Sequence, residues 1–510
     1  MLVKNRHTCS SKQFIGTISI RSIAAVIFMT SDATGILQPN YPLFIMNIAF
    51  HGAARTVTGS KHLISLISGT KILLDCGLFQ GMGESTEKLN SYFGFKPSEI
   101  NFVILSHAHI DHCGLLPRLV AEGFKGNIFS TAATMDLARI LLMDSAKIHT
   151  QDAEYANRKL SAGEDPQEPL YTEEDVVQTI GRFKVVDYNH PFDISPEVNI
   201  LFTDAGHIVG SAAVHLKLNE NGKTTSLTFS GDVGRYTDLL LKSPQTFPQA
   251  DYILMESTYG DSLHKDLEPT DNILLEIIRQ TCIIKKGKVI IPAFSVGRTQ
   301  EILYALNGLE LKNQLPDIPY YVDSPLSLQA TQVLKNHPEV YNNGVKEVMK
   351  VDADPFSFKG LKFIESVQES KALNNDNRPC VIISASGMAE GGRVRHHIRN
   401  TVSNNKNTIL LVGYCAPESL GGELLAGNKS VYLFRENYQV QAEIRSIRSM
   451  SAHGDYEDLL QFLSCQDPAA VKRLFLVHGE YEVQQHFAQK LKDKGFKQVS
   501  IPEYHQQFDL

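Results

Sequence analysis

Short apolar runs, each closed by a polar turn, recur along most of this 510-residue chain. Lys71-Ile72-Leu73-Leu74 stops at Asp75, Phe102-Val103-Ile104-Leu105 at Ser106-His107, and Ile200-Leu201-Phe202 shortly before Asp204-Ala205-Gly206-His207. Leu227-Thr228-Phe229-Ser230 runs into Gly231-Asp232, and Arg473-Leu474-Phe475-Leu476-Val477 into His478-Gly479-Glu480. Such runs are too short for buried helices and predict strands. Met135 to His149 instead carries apolar residues at helical spacing, and Ser161-Ala162-Gly163-Glu164-Asp165-Pro166 breaks the pattern into a surface loop. Between Glu256 and His453 lies a second alternating series with its own strands, Val289-Ile290-Ile291, Pro319-Tyr320-Tyr321-Val322 and Val381-Ile382-Ile383. Alternation of this kind predicts a parallel sheet in a separate inserted domain. The first domain is then discontinuous, with its last motifs supplied after the insert and a cleft between the two.

The residues that close the runs share a chemistry. His107-Ala108-His109-Ile110-Asp111-His112 sets three imidazoles and a carboxylate in one short loop at a strand end. Neutral imidazole suits zinc and related ions, and a carboxylate among the histidines suits a site that keeps a position open for water. One loop holds at most two ions, so further ligands are expected at other strand ends, where Asp75, His207, Asp232 and His478 stand. Taken singly, Asp75 reads as a turn or cap, His207 as a satisfied core histidine and Asp232 as a Gly-Asp turn. The repetition of strand-end placement favours one shared site at a sheet edge.

Three more motifs follow: Glu256 in Met255-Glu256-Ser257-Thr258-Tyr259-Gly260, His453 in Ser451-Ala452-His453, and His478 in Val477-His478-Gly479-Glu480. With them, in this order, the chain from about Met46 onward resembles the β-CASP nuclease branch of the metallo-β-lactamase superfamily. The resemblance implies an α/β fold: a metallo-β-lactamase αββα sandwich over residues 46–258 and 441–510, with an inserted α/β β-CASP domain over 259–440. It implies His107, His109 and His207 around one metal, Asp111, His112 and His478 around the other, Asp232 bridging both, and Asp75 orienting the loop by hydrogen bonds. Two divalent ions, Zn2+ with Mn2+ as the alternative, would share a hydroxide nucleophile for in-line displacement at phosphorus. Catalytic roles then fall to Asp111, Glu256 and His453, with His453 as general acid and Glu256 as the partner that fixes its tautomer.

On the substrate side, Pro292-Ala293-Phe294-Ser295-Val296-Gly297-Arg298 and Ser384-Ala385-Ser386-Gly387-Met388 each follow a strand and resemble phosphate-holding loops of the cleavage-factor-like group. Arg298, Ser384, Ser386, Gly387 and Ser451 are the implied substrate contacts. Arg393 and Arg395 read equally as backbone contacts or as a solvated helix face. In Val412-Gly413-Tyr414-Cys415-Ala416-Pro417-Glu418-Ser419-Leu420-Gly421-Gly422 the chain departs from the family pattern, with Glu418 in place of a glycine and Gly422 in place of an arginine. That exchange of charge is expected to weaken backbone contact or shift substrate choice. Branches of the resembled superfamily that act on DNA typically lack a histidine at the last motif, so with His478 present the resemblance implies RNA. The short stretch after His478 favours an endonuclease related to cleavage factors, with 5′-exonuclease activity in the same site.

Composition sets limits on this reading. Hydrophobic residues at 43% and charged ones at 21% describe an ordinary globular chain. Its formal net charge of -7 argues against a large nonspecific affinity for polyanions. Seven cysteines with no C-x-x-C pair exclude a cysteine zinc site and fit a reducing compartment, so cytoplasm is expected. Residues 1–45 are basic before Asp32 and carry the apolar run Ile23-Ala24-Ala25-Val26-Ile27-Phe28, too short to span a bilayer. They read as a disordered or untranslated extension, with Met46 as the true start, or as a targeting segment. RNA is the expected partner, a membrane is not, and a homodimer is left open. Two rival functions remain: a small-molecule hydrolase of the glyoxalase or lactonase type, which would not need Glu256, His453 or the insert, and a noncatalytic RNA-binding subunit, which would carry no metal.

Overall fold

Along Ile48-Ala49-Phe50 and Ile72-Leu73-Leu74 successive side chains go to opposite faces, as strand geometry requires. Ile48, Phe50, Ile72 and Leu74 enter one apolar core, Ala49 and Leu73 another. In the computed structural model, which describes residues 45–510 except 161–164, 265–269, 414 and 448–449, these strands belong to a seven-stranded sheet. Its order is Gln507–Asp509, Asn47–Gly52, Lys61–Ser65, Lys71–Leu74, Phe102–Ile104, Asn127–Ser130 and Phe183–Val185. A second seven-stranded sheet runs Val499–Ser500, Arg473–Val477, Tyr252–Glu256, Lys223–Phe229, Ala212–Glu220, Val198–Asp204 and Phe192–Ser195. The expected N-terminal extension, Ile45 apart, and most of the loop expected at Ser161 to Pro166 lie outside the described residues.

The two sheets share a core in which Phe50, Phe202, Phe229 and Phe475 are buried. The outer face of the first carries the helices Leu116–Ala121 and Ala132–Asn157, and that of the second carries Tyr456–Leu463 and Tyr481–Asp493, completing the αββα sandwich. Helix Ala132–Asn157 extends beyond both ends of the periodic stretch read from sequence, and Thr131 caps it by accepting the Thr134 N–H. Phe475 has no exposed surface and packs between Phe50 and Phe508, with ring centroids 5.1 and 5.0 Å away. Phe475→Ala should therefore cost about 3–5 kcal/mol of stability, read as a lower urea midpoint at unchanged slope.

The inserted domain is a six-stranded sheet, parallel throughout, ordered Leu361–Phe363, Tyr320–Val322, Val381–Ser384, Val289–Pro292, Thr408–Val412 and Glu443–Ile447. Both faces are covered, as a parallel sheet demands: Val289 and Ile291 enter one core, Ile290 the other. The strand Glu443–Ile447 pairs here, so the inserted sheet continues past the boundary expected at residue 440. Among the described residues no helix is long and apolar enough to cross a membrane.

Direction is what positions the site. Lys71–Leu74 and Phe102–Ile104 are parallel, as are Lys223–Phe229, Tyr252–Glu256 and Arg473–Val477. Val198–Asp204 is antiparallel to Ala212–Glu220, which is antiparallel to Lys223–Phe229, so it runs with them too. The carboxyl ends of all six strands thus fall at the same edge of their sheets.

Candidate active site

Every residue expected at a strand end lies at that edge. Asp75 follows Leu74 and His478 follows Val477, both in the left-handed backbone region, at φ 58° and 52°. Left-handed conformation costs a residue with a Cβ on the order of a kcal/mol, and the surroundings must enforce it. Asp75 is held by the Ser106 N–H at 2.8 Å and the Ser106 and Ser60 hydroxyls at 2.9 and 3.2 Å. It accepts in turn from His112 Nδ1 at 2.7 Å, so Asp75 fixes which nitrogen His112 turns inward. The loop must lie close: a Cβ on Gly77 would stand 1.6 Å from the Asp111 carbonyl oxygen.

Among the described residues the expected ligands fall into two groups, which a third, Asp232, His453 and His478, overlaps. The ligating atoms of His107, His109, His207 and Asp232 all lie within 4.8 Å of one another, as do those of Asp111, His112 and His478. Asp232 connects the groups through different oxygens. Its Oδ2 is 3.4 Å from His107 Nε2 and 3.5 Å from His207 Nε2. Its Oδ1 is 3.3 Å from His112 Nε2 and 3.6 Å from His478 Nε2. His478 Nε2 is also 3.3 Å from Asp111 Oδ2.

Electrostatics tests whether cations suit these groups. Burial pushes the pKa of His107 and His207 well down and that of His109 to about 4, leaving neutral rings with lone pairs to offer. Burial opposes charge on His112 as well, but the Asp232 and Asp111 carboxylates prevail and raise its pKa well above the ordinary value. Against burial, His112 and His478 hold Asp232 well below the usual carboxylate range. The centre therefore attracts positive charge. His112 Nε2 and Asp232 Oδ1, though 3.3 Å apart, are not aligned for a hydrogen bond, and neither has another hydrogen-bond partner among the described residues. Leaving buried groups unmatched costs about 1–3 kcal/mol each, and a cation between them removes that cost. Donor type, spacing and these orphaned atoms fit a pair of divalent metals.

Beside this cluster stands His453. Its Nδ1 is 3.1 Å from Glu256 Oε1, and its Nε2 is 4.0 Å from Asp232 Oδ2. Glu256 is immobilised by the Val233 N–H at 2.7 Å and the Thr258 N–H at 3.1 Å. Burial lowers the pKa of His453, but the Glu256 carboxylate outweighs it, with Asp232 and Asp111 adding to the effect, and raises it to about 9. Two orienting groups were not singled out from sequence. Thr258 Oγ1 lies 3.0 Å from His478 Nδ1, and the Ala452 carbonyl 3.2 Å from His207 Nδ1. Thr258 sits two residues after Glu256 in the same motif, which is the signal that was available.

The expected substrate contacts divide. Ser386 is half-buried in the loop after Val381–Ser384, where its hydroxyl accepts from the Gly391 N–H at 3.2 Å. Gly387 packs so closely that a Cβ would lie 2.6 Å from the Phe294 ring. Ser451 donates to the His453 carbonyl at 3.3 Å. Ser384 and Arg298 are not presented as free donors. The Ser384 hydroxyl is buried and donates to the Asp323 carbonyl at 2.9 Å, while Arg298 is only 6% exposed and pairs with Glu301. Their polar groups hold the loops together. Arg393 likewise pairs with Asp323 at 2.7 Å.

The glycine that stands where the family pattern has arginine has a local reason. Gly422 is buried next to Ser419, whose hydroxyl caps helix Leu420–Leu425, and a Cβ there would meet the Ala416 carbonyl oxygen at 2.1 Å. Tyr414 in the same segment lies outside the described residues. Gly422→Arg should lower the melting temperature through displacement of this turn, with no gain in RNA affinity; a rise in affinity at unchanged melting temperature would show that the turn has room.

Comparison with known proteins adds three profile matches: a metallo-beta-lactamase superfamily domain over residues 64–229, a Beta-Casp domain over 299–424, and a Zn-dependent metallo-hydrolase RNA specificity domain over 437–502. Ribonuclease TTHA0252 of Thermus thermophilus is 36% identical over 442 residues, covering 86% of this chain and 94% of its own. An RNase J-like protein of Methanocaldococcus jannaschii is 30% identical over 462 residues, covering 90% of this chain and 97% of its own. Transcription termination factor FttA of the same organism is 29% identical over 467 residues, covering 90% and 70%.

Proposed function

The chain belongs to the β-CASP branch of the metallo-β-lactamase superfamily, and from that premise we propose that it is a metal-dependent ribonuclease that hydrolyses RNA phosphodiester bonds, chiefly as an endonuclease. The observation that carries this reading is the split of Asp232 between two donor groups, with the Nε2 of a Glu256-held histidine 4.0 Å from the same carboxylate. RNA as substrate is supported by the RNA-acting names of the relatives and by the match to an RNA specificity domain.

His107, His109, His207 and Asp232 would hold one ion, and Asp111, His112, His478 and Asp232 the other. Imidazole-rich donors favour zinc, with manganese as the alternative. When bound, the pair supplies charge neutralisation at the scissile phosphate and makes water a nucleophile at neutral pH. The chain's own residues do the rest. Asp75, Thr258 and the Ala452 carbonyl fix the rings of His112, His478 and His207 so that each Nε2 faces the centre. Glu256 holds the proton of His453 on Nδ1 and favours the charged ring, leaving an Nε2–H to donate to the leaving oxygen. Ser386, Gly387 and the backbone of their loop would seat a phosphate away from the scissile bond. Six described cysteines are free thiols, four of them buried, which supports a reducing compartment such as the cytoplasm.

The test is incubation of metal-loaded protein with 5′- and 3′-labelled RNA and mapping of the product ends. Internal cuts with 5′-phosphate products are expected; thioester hydrolysis with intact RNA would replace this reading by the small-molecule one.

A further inference from the structure

The base and aromatic residues of this acidic chain are not evenly spread. Helix Val394–Thr401 leaves the loop that holds Ser386 and Gly387, and Arg395 and Arg399, four residues apart, share one face of it. Both guanidinium groups stand over Phe434, 5.4 and 5.6 Å from the ring centroid, and His396 stacks on the same ring at 4.6 Å. Arg399 also lies 5.9 Å from the centre of the Tyr438 ring. Phe434 remains 38% exposed.

Phe434 and Arg435 form the tip of the hairpin joining Ser430–Leu433 to Glu436–Gln439, both at positive φ, 50° and 69°. A two-residue hairpin tip of this kind ordinarily takes Asn-Gly or Gly-Gly, so a bulky aromatic and an arginine there pay strain that the turn itself does not require. Arg435 has no hydrogen-bond or ion-pair partner among the described residues. At the end of helix Ala132–Asn157 in the other domain, Lys159 stands 3.7 Å over the exposed Tyr155 ring and lowers the tyrosine's pKa, with smaller electrostatic contributions from Arg435 and Arg158. Glu436, beside the hairpin tip, lies 3.8 Å from Arg399. The result is a run of exposed rings bordered by five basic residues, Arg158, Lys159, Arg395, Arg399 and Arg435. None of them belongs to the metal cluster.

We propose that this face is a second binding surface for single-stranded RNA, on which bases stack against Phe434 and Tyr155 while phosphates meet Arg435, Arg399 and Lys159. Rings with arginines at their edges are how proteins hold single strands without reading sequence, because every base has a face to stack. The surface continues from the proposed phosphate loop along one helix, so it would hold the part of a long substrate that lies outside the cleft. It rests on the ribonuclease reading and predicts that affinity depends on RNA length.

The experiment measures fluorescence anisotropy with phosphorothioate-substituted RNA, which resists hydrolysis, on the wild type, Phe434→Ser, and the double variant Lys159→Glu with Arg435→Glu. Oligonucleotides of about 3 and about 30 nucleotides bracket the roughly 4–16 that one single-strand site holds. Phe434→Ser should bind the long RNA about tenfold more weakly, given the usual worth of one stacked base, and the double variant should weaken it through lost phosphate contacts. The double variant should also lose about 0.7 of salt slope for each phosphate contact removed. Binding of the short RNA and hydrolysis of bis(p-nitrophenyl) phosphate should be unchanged, with the melting temperature as a check on folding. Unchanged long-RNA affinity in both variants overturns the proposal and leaves the face to a protein partner; equal weakening for both lengths overturns it as well. If the wild type binds long RNA through this face yet cuts no RNA, the ribonuclease reading fails while the binding surface stands.

Discussion

Asp232→Ala is expected to strip both ions from the centre and to abolish cleavage while the sheets stay folded. Its Oδ1 faces His112 and His478 at 3.3 and 3.6 Å, and its Oδ2 faces His107 and His207 at 3.4 and 3.5 Å, so one substitution removes a donor from each group. Among the described residues no other carboxylate belongs to more than one donor group. What remains is five imidazoles with Asp111 as their one carboxylate, a set with less negative charge to hold two dications close together. Metal catalysis of this kind supplies several kcal/mol of transition-state stabilisation, and losing about 4 kcal/mol slows the reaction roughly a thousandfold. Elemental analysis, circular dichroism and RNA cleavage together read the result. Two metals per chain retained in the variant would remove Asp232 from the bridging position.

The donor set was readable because the chemistry is compressed: His107 to His112 lies in one loop, and each further donor ends an apolar strand. Sequence could not show that Asp75 and His478 sit in left-handed backbone, since nothing local distinguishes them from other strand-end residues. Nor does sequence show where a polar group's partner is. Ser384 reads as a donor to phosphate and Arg393 equally as a backbone contact or a solvated helix face, but the partner of both is Asp323, which is remote in the chain and sits just after strand Tyr320–Val322. Arg298 was the more legible case, because Glu301 stands three residues on, at the spacing of a helical pair. The strand Glu443–Ile447 escaped detection for a different reason. Glu443, Arg445 and Ser446 give it no apolar run, and it is a strand by virtue of pairing on the edge of the inserted sheet beside Thr408–Val412.

The two late histidines should fail differently when removed. His478 Nε2 lies 3.3 Å from Asp111 Oδ2 and 3.6 Å from Asp232 Oδ1, with Thr258 on its other nitrogen, which suits the ligand role proposed for it. His453 has its Nδ1 committed to Glu256, and its Nε2 stands off at 4.0 Å from Asp232 Oδ2. His478→Ala should therefore lower occupancy of the second ion and depress every hydrolytic reaction of the site. His453→Ala should keep both ions and RNA binding, and lose about 10²–10⁴-fold in rate, the usual worth of a general acid. The substrate then separates the roles. An activated aryl phosphodiester expels a leaving group that needs no proton, so its hydrolysis should largely survive His453→Ala and still collapse in His478→Ala. Glu256→Gln, which leaves a hydrogen bond but removes the charge that favours protonated His453, should follow the His453 pattern in weaker form. Equal loss of His453→Ala on both substrates, with metal content intact, would make His453 a positioning residue and leave the leaving-group proton to another source.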